Sequence, residues 1–128
     1  MDFKEYHERA TKTKQFPPVY LKRNKTKTNS PQVVTFYDEL GFVYPALGLA
    51  GESGEVVEVL KKILRNNNGV PTAEFVEKLK YELGDVLWYL DILCSEFGFT
   101  LEQVAELNVK KLESRVKRDK IKSEGDFR

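Results

Sequence analysis

Two pairs of acidic residues have the spacing that places two side chains on one face of a helix. Glu52 and Glu55 form the first pair, and Glu82 and Asp85 form the second, and in each pair the second acid follows the first by three positions. Residues i and i+3 are neighbours on a helix surface, so each pair can share one ligand. Position 68.5 is the midpoint both of 55 with 82 and of 52 with 85. A helical hairpin that reverses there therefore brings all four carboxylates to one height.

A cluster of this kind needs a counter-charge. Two carboxylates about 5 Å apart repel each other by roughly 3 kcal/mol at an effective dielectric constant near 20. Protons could neutralise one or two of the acids, and a cation could neutralise more. Because the cluster offers only oxygen ligands, it fits a hard divalent cation, and Mg²⁺ that keeps several of its waters fits best. The alternative is that the acids are ordinary surface residues with helical spacing.

Glycines accompany both acidic pairs. They stand at positions 48, 51, 54 and 84, inside the segments predicted to be helical. Each costs about 1 kcal/mol in a helix relative to alanine. Four such residues beside the acids predict open space around the site.

A second polar set lies on a later predicted helix. Asn108, Lys111 and Arg115 have the spacing i, i+3, i+7, and Asn108 falls in the centre of an apolar stripe, so its amide is predicted to be buried with partners. A three-residue link predicts that this helix runs antiparallel to the preceding one, with Lys111 and Arg115 level with the acids. Acids that bind a metal beside basic donors suit a metal-bound polyphosphate. The alternative is pairing with Glu106 or Glu113 on the helix surface.

Further side chains are placed to border the site. Tyr89 lies four residues after Asp85, and Lys62 lies seven residues after Glu55, in each case on the same helix face. For Tyr89 and its neighbour Trp88, packing in the core is the alternative to contact with a nucleobase.

The sequence contains one histidine and one cysteine, and neither is predicted to take part in catalysis. His7 is the only histidine, and it is predicted to dock the first helix rather than to act as a base. Cys94 is the only cysteine, which excludes an internal disulfide, and it is predicted to be a small core residue.

Capping residues, prolines and glycines divide the chain into segments of a single domain. A first helix is predicted to open at Asp2 and Glu5. The predicted segments are the first helix in 1–14, a long basic connection with prolines in 15–43, a helical core in 44–118 and a tail in 119–128.

Three helices are predicted within the core. The first opens near Pro45 and stops at the Asn-Asn-Asn-Gly sequence of 66–69. The second runs from Thr72 to about Phe97, and the third opens at Thr100 with a capping box. The predicted fold is therefore an all-α bundle of four to five helices.

The connection is too polar and too interrupted by proline to pack a core, so it is predicted to be irregular and mobile. Val33 to Tyr37 could form a short edge strand within it. Its basic cluster either meets phosphates or is a solvated surface; the cluster comprises Lys22, Arg23, Lys25 and Lys27.

Composition narrows the class of protein. The chain has 128 residues and a formal charge of +1, so nothing in its net charge draws it to nucleic acid or to anionic membranes. No apolar segment resembles a signal peptide or a membrane span, and the expected location is the cytoplasm. The helix predicted from Thr72 is apolar over most of its circumference between Tyr81 and Cys94, which predicts a homodimer or homotetramer packed through the central helices.

Taken together, these residues resemble the MazG-like nucleoside triphosphate pyrophosphohydrolases, whose signature is E-x-x-E followed by E-x-x-D. The similar segments are GLAGESGEVVEVLKKI at 48–63, ELGDVLWYL at 82–90, NVKKLESR at 108–115 and GDFR at 125–128. Where many members carry a further glutamate before the first motif acid, this chain has Gly51. The resemblance implies an all-α dimer or tetramer that uses Mg²⁺, or Mn²⁺ in its place, to cleave a nucleoside triphosphate into a nucleoside monophosphate and pyrophosphate.

The resemblance also implies roles for individual residues. The four acids hold the metal, and Glu52 or Glu55 orients or deprotonates the attacking water. Lys111 and Arg115 bind phosphates, and Asn108 and Tyr89 lie near the sugar or base. Asp126 and Arg128 either fold over a site, which can be that of a neighbouring copy, or belong to a free C-terminal tail. The substrate is expected to be a deoxynucleotide or a non-standard nucleotide.

Two other classes of function share features with this pattern. A non-catalytic helical module that binds a nucleotide or alarmone would have a similar acidic and basic pocket. A carboxylate-bridged di-iron bundle normally needs Glu-x-x-His on two helices, and the single histidine of this chain excludes it.

Overall fold

The computed structural model describes residues 1–15, 20–26 and 33–118. Four helices form the packed body, so the all-α fold class predicted from the sequence is confirmed. No helix in the described ranges combines the length and apolar character that crossing a membrane requires. The elements are α1 (Phe3–Ala10) with a 3₁₀ turn (Thr11–Thr13), β1 (Tyr20–Thr26), β2 (Val33–Glu39), α2 (Val43–Asn66), α3 (Ala73–Glu96) and α4 (Leu101–Lys117).

Helices α2 and α3 form the central antiparallel hairpin. The turn between them uses two left-handed residues, Asn68 with φ 51° and Gly69 with φ 79°, a conformation that asparagine and glycine adopt most readily. Thr72 then caps α3 by accepting a hydrogen bond from the Phe75 amide at 3.3 Å. Between the helices lies a small core, and its most buried members are Val59, Ile92 and Pro45.

Local capping sets the start of the outer helices. Asp2 accepts a hydrogen bond from the Glu5 amide at 2.8 Å and begins α1. At α4, the Thr100 hydroxyl accepts from the Gln103 amide at 3.2 Å, and the Gln103 side chain accepts from the Thr100 amide at 2.9 Å. This is the capping box that the sequence predicts.

Helix α1 docks against α3 through the indole of Trp88. The indole N–H donates to the Thr13 hydroxyl at 2.9 Å and lies 3.3 Å from the carbonyl oxygen of Ala10, which is itself buried. Trp88 therefore fixes the position of the first helix.

Among the described residues, helix α4 has a fully buried side chain only at its beginning. Its first residue, Leu101, is buried, and α4 contributes no other buried residue. Asn108 is exposed, so the prediction of a buried amide is wrong. The reason is that the described residues leave much of α4 after its first turns uncovered, including the large apolar side chains of Leu107, Val109, Leu112 and Val116.

The connection between α1 and α2 contains an antiparallel hairpin rather than only irregular chain. Strand β1 pairs with β2 so that Tyr20 lies opposite Glu39 and Thr26 lies opposite Val33. The suggested edge strand at Val33 is present and extends to Glu39, but its partner strand was not predicted. Composition was misleading here because ladder hydrogen bonds satisfy the backbone of a highly charged strand as well as that of an apolar one.

Both ends of this connection meet at Glu96, near the end of α3. Lys14 forms an ion pair with the Glu96 carboxylate. On the other side, a Cβ placed on Gly41 would lie 2.8 Å from the carboxylate carbon of Glu96. The Glu96 carboxylate therefore lies directly against the backbone of Gly41.

Candidate metal centre and substrate site

Three of the four predicted acids come together between α2 and α3. One carboxylate oxygen from each of Glu52, Glu82 and Asp85 lies within 4.8 Å of the others. We call these three residues the acidic cluster. Glu52 and Glu82 are half-buried and Asp85 is exposed, so the cluster lies at the edge of the helical core and is open to solvent.

Glu55 is exposed and lies outside the acidic cluster. Three residues advance a helix by about 300°, so Glu55 stands about 60° round from Glu52. Glu52 instead shares the face of α2 that carries the buried residues Val59 and Ile63. Of the two glutamates on α2, Glu52 is therefore the one that faces the pair on α3.

The acidic cluster carries an excess of negative charge, which adds to the effect of burial on the pKa of Glu52. Burial raises the pKa of Glu52, and the carboxylates of Asp85, Glu82 and Glu55 raise it further. Every charged group that shifts this pKa is an acid. The cluster offers three oxygen donors at this separation, and ionisation of Glu52 is made costly by burial and by its acidic neighbours. Such a group fits a hard divalent cation such as Mg²⁺.

Tyr89 forms one wall beside the acidic cluster. Its ring packs against the backbone of Gly48, because a Cβ on Gly48 would lie no more than 2.5 Å from three ring atoms. Burial raises the pKa of Tyr89, and Tyr44, Glu52 and Asp85 raise it further. The Tyr89 hydroxyl thus lies in the negative field of the cluster, and on α3 Tyr89 stands one helical turn from Asp85.

The four glycines near the acids have different roles. A Cβ on Gly51, Gly54 or Gly84 would meet no atom within 4 Å, which agrees with the predicted open space. Gly48 differs, since its missing side chain makes room for the Tyr89 ring and leaves no empty volume. The expectation of four equivalent open positions is therefore wrong at Gly48.

The structure gives no distance that joins the predicted basic residues to the acidic cluster. Lys62 lies 3.8 Å from Glu58 on its own helix. Lys111 and Arg115 are half-buried on α4. Their phosphate-binding role stays a prediction. Asp126 and Arg128 lie outside the described residues.

A buried acid that was not predicted ties α1 to α3. Asp91 is 2% exposed, and its carboxylate lies 2.8 Å from Nδ1 of His7. The sole histidine therefore has the docking role that its sequence position suggested. In the sequence, the available signal was that Asp91 is the single carboxylate within the mainly apolar residues 86–94, together with the absence of any other histidine.

Tyr6 was also not predicted as a neighbour of the site. Burial raises its pKa, and the carboxylates of Asp91 and Asp85 raise it further. Its hydroxyl therefore lies between the docking pair of His7 and Asp91 and the acidic cluster.

Replacing His7 with alanine is expected to destabilise the fold by about 1–3 kcal/mol, because Asp91 would lose its hydrogen-bond partner while staying buried. Urea unfolding followed by tryptophan fluorescence measures the effect, since Trp88 lies at the docked helix. The double variant His7→Ala, Asp91→Asn, which removes the unpaired charge, is the control and should recover part of the loss. Equal stability of wild type and His7→Ala would contradict this role.

Comparison with known proteins agrees with the geometry. Residues 45–119 match the model of the MazG nucleotide pyrophosphohydrolase domain, a range that includes the acidic cluster and all of α4. "Gene 37 protein" of Mycobacterium phage L5 is 43% identical over 88 residues, which cover 69% of this chain and 77% of that protein. No solved structure matches the chain. The chain therefore belongs to the MazG nucleotide pyrophosphohydrolase family.

Proposed function

We propose that this protein hydrolyses a nucleoside triphosphate to a nucleoside monophosphate and pyrophosphate, with Mg²⁺ as its cofactor and Mn²⁺ as a substitute. The acidic cluster of Glu52, Glu82 and Asp85 is the observation that carries this proposal. It lies within the range that matches a nucleotide pyrophosphohydrolase domain. The proposed substrate is a deoxynucleotide or a non-standard nucleotide.

In this proposal, different acidic residues bind the metal and activate the water. Glu52, Glu82 and Asp85 would hold the divalent cation, which when bound supplies positive charge to the triphosphate oxygens. Glu55 stands beside this group without belonging to it, so its carboxylate remains available to orient a water and accept its proton. This division assigns Glu55 as the base and Glu52 as a ligand.

The substrate contacts are proposed from α2, α3 and α4. Lys111 and Arg115 bind the phosphates, where their charge opposes the charge that develops on the oxygens during cleavage. Tyr89 offers its hydroxyl from the wall of the site. The remaining proposed contacts are Lys62, Asn108 and Arg128.

We also propose that the protein assembles as a homodimer or homotetramer. Apolar side chains stand exposed on the outer face of α2 and along α4. Val57 and Leu64 are 62% and 70% exposed, and Leu107 and Val116 are 71% and 61% exposed. Burying these two surfaces against second copies would cover the apolar stripe of α4 and place its basic residues in an interface.

The proposal predicts equimolar pyrophosphate and nucleoside monophosphate from at least one member of a panel of ordinary and modified nucleoside triphosphates. The measurement is separation of the products by ion-exchange chromatography after incubation with Mg²⁺. Chelation should abolish the release, and added Mg²⁺ or Mn²⁺ should restore it. Orthophosphate as the sole product would contradict the proposal. Nucleotide binding without turnover over the whole panel would favour a non-catalytic regulatory module.

A further inference from the structure

The hairpin of β1 and β2 has no role in the reaction proposed above. In the described part of the chain, its strands pair with each other along their whole length, and neither makes more than slight contact with a helix. The chain on either side of the hairpin is held at Glu96, by Lys14 and at Gly41. A two-stranded hairpin that packs on nothing is only marginally stable in water, and further strands or a packed surface are needed to hold it. The hairpin therefore needs a partner that the described residues do not supply.

The sheet has an open edge on each side. Within the described ranges it consists of β1 and β2 alone, so the outer backbone N–H and C=O groups of both strands have no ladder partner there. β1 includes three basic residues, Lys22, Arg23 and Lys25, and lysines on an edge strand oppose pairing with another strand. Residues 33–37 of β2 are Val-Val-Thr-Phe-Tyr, which contain no charge and no proline and which all favour strands. The edge of β2 is therefore unprotected.

A second copy of this chain fits the edge of β2. If β2 pairs antiparallel with β2 of a second copy about a two-fold axis at Thr35, Val33 of each copy lies opposite Tyr37 of the other. Thr35 is the centre of the uncharged segment 33–37, so this register pairs all of that segment with itself. The acids at the end of the strand, Asp38 and Glu39, then lie beyond the paired segment, and neither faces its own counterpart.

The other ways of pairing two hairpins are less favourable. Pairing β1 with β1 of a second copy would bring two sets of basic residues together, and like charges on facing strands are destabilising. Pairing β1 with β2 of a second copy is a head-to-tail contact, which leaves an open edge at each end and can continue without limit. Pairing β2 with β2 closes after two copies and leaves only the two basic β1 edges exposed to further strands.

We propose that β2 pairs with β2 of a second copy, so that two hairpins form a four-stranded antiparallel sheet in the order β1-β2-β2-β1 with Thr35 at the two-fold axis. Four strands supply the ladder that a single hairpin lacks. This association uses no residue of the helices. It is therefore separate from the association proposed through α2 and α4, and it does not depend on the proposed hydrolysis.

Disulfide cross-linking of Thr35→Cys tests the position of the two-fold axis. Residues directly opposite each other in an antiparallel pair have Cα atoms about 4.5–5.5 Å apart, a separation that a disulfide spans. Asn24→Cys is the matched control, because Asn24 lies opposite Thr35 within the hairpin. In the four-stranded sheet, the two copies of Asn24 are three strand spacings apart, about 14 Å, which a disulfide cannot bridge. With oxidised glutathione, Thr35→Cys is therefore expected to give at least about ten-fold more covalent dimer than Asn24→Cys.

Two off-centre variants test the direction of pairing. In the proposed register, Val33 of one copy lies opposite Tyr37 of the other and is four residues, about 13 Å, from its own counterpart. Val33→Cys alone and Tyr37→Cys alone should therefore give little covalent dimer, whereas a mixture of the two variants should cross-link. Parallel stacking of β2, or non-specific aggregation, would instead cross-link each variant with itself.

The background is measured with wild type, whose only cysteine, Cys94, is 4% exposed. All four substitutions lie outside the helices, so the helical circular dichroism of each variant should equal that of wild type. Cross-linking of Thr35→Cys well above Asn24→Cys, together with the mixed cross-link, supports the proposal. Equal yields from Thr35→Cys and Asn24→Cys, or efficient cross-linking of Val33→Cys with itself, would overturn it. Neither result depends on whether a nucleotide is hydrolysed.

Discussion

Glu52→Gln is expected to lower kcat/KM for pyrophosphate release by about 100-fold or more, because it removes a charged ligand from the proposed metal centre. The same substitution is expected to raise the melting temperature of the metal-free protein at neutral pH. Glu52 is crowded by Glu82 and Asp85, and the neutral glutamine removes that repulsion. Activity and metal-free stability should therefore change in opposite directions. Steady-state kinetics and calorimetry with chelator measure the two effects.

The pH dependence of this stability difference follows from the raised pKa of Glu52. The folded protein binds the Glu52 proton more tightly than the unfolded chain does. Ionisation of Glu52 therefore costs stability above its folded pKa, and the cost disappears as the pH falls to the ordinary value of about 4.3 for an unfolded glutamate. Wild type and Glu52→Gln should converge in acid. A wild type that is the more stable of the two at neutral pH without metal would show that the cluster is not strained.

Two further glutamates serve as comparisons. Glu55→Gln should lower kcat while leaving the binding of Mn²⁺ intact, because Glu55 lies outside the acidic cluster. Glu77 pairs with Lys80 at 3.0 Å on the exposed surface of α3, so Glu77→Gln is the control and should keep full activity. Loss of Mn²⁺ binding in Glu55→Gln would make this residue a ligand and would require another base.

Gly48→Ala is expected to destabilise the protein by about 2–3 kcal/mol, although alanine normally stabilises a helix. The added Cβ would overlap the Tyr89 ring, which would be forced out of its place against α2. Because this ring is also a wall of the proposed site, nucleotide affinity should fall along with stability. Denaturant unfolding and binding titrations of the same variant measure the two effects.

Gly54→Ala is the matched control for this prediction. A Cβ at Gly54 meets no atom within 4 Å, so this substitution should stabilise α2 by up to about 1 kcal/mol. Combining Gly48→Ala with Tyr89→Ala should cost less than the sum of the two single changes, since the second removes the clash of the first. Equal stability of Gly48→Ala and Gly54→Ala would show that the ring moves aside freely.

The boundaries of the helices could be predicted from the sequence because they depend on local chemistry. Thr72, Thr100 and Gln103 cap their helices with their own side chains, and Asn68 and Gly69 form the turn. Such signals need no knowledge of the rest of the fold. Helical periodicity with one known turn was then enough to bring together the three acids of the cluster.

Features that depend on long-range packing could not be predicted in the same way. The burial of Asp91 depends on α1, and its partner His7 is 84 residues away in the chain. The exposure of Asn108 depends on how little of α4 this chain covers, which periodicity does not reveal. Gly48 could be distinguished from Gly54 only by the position of the Tyr89 ring.

The meeting of Lys14 and Gly41 at Glu96 has a consequence for how the chain tolerates change. The two ends of the connection are already held at one point of the helical body, so the entropic cost of closing the intervening loop rises only slowly with its length. Insertions, deletions or a grafted sequence between these anchors should leave the helices intact. The connection is thus a place where a shared helical scaffold can acquire different attachments during evolution.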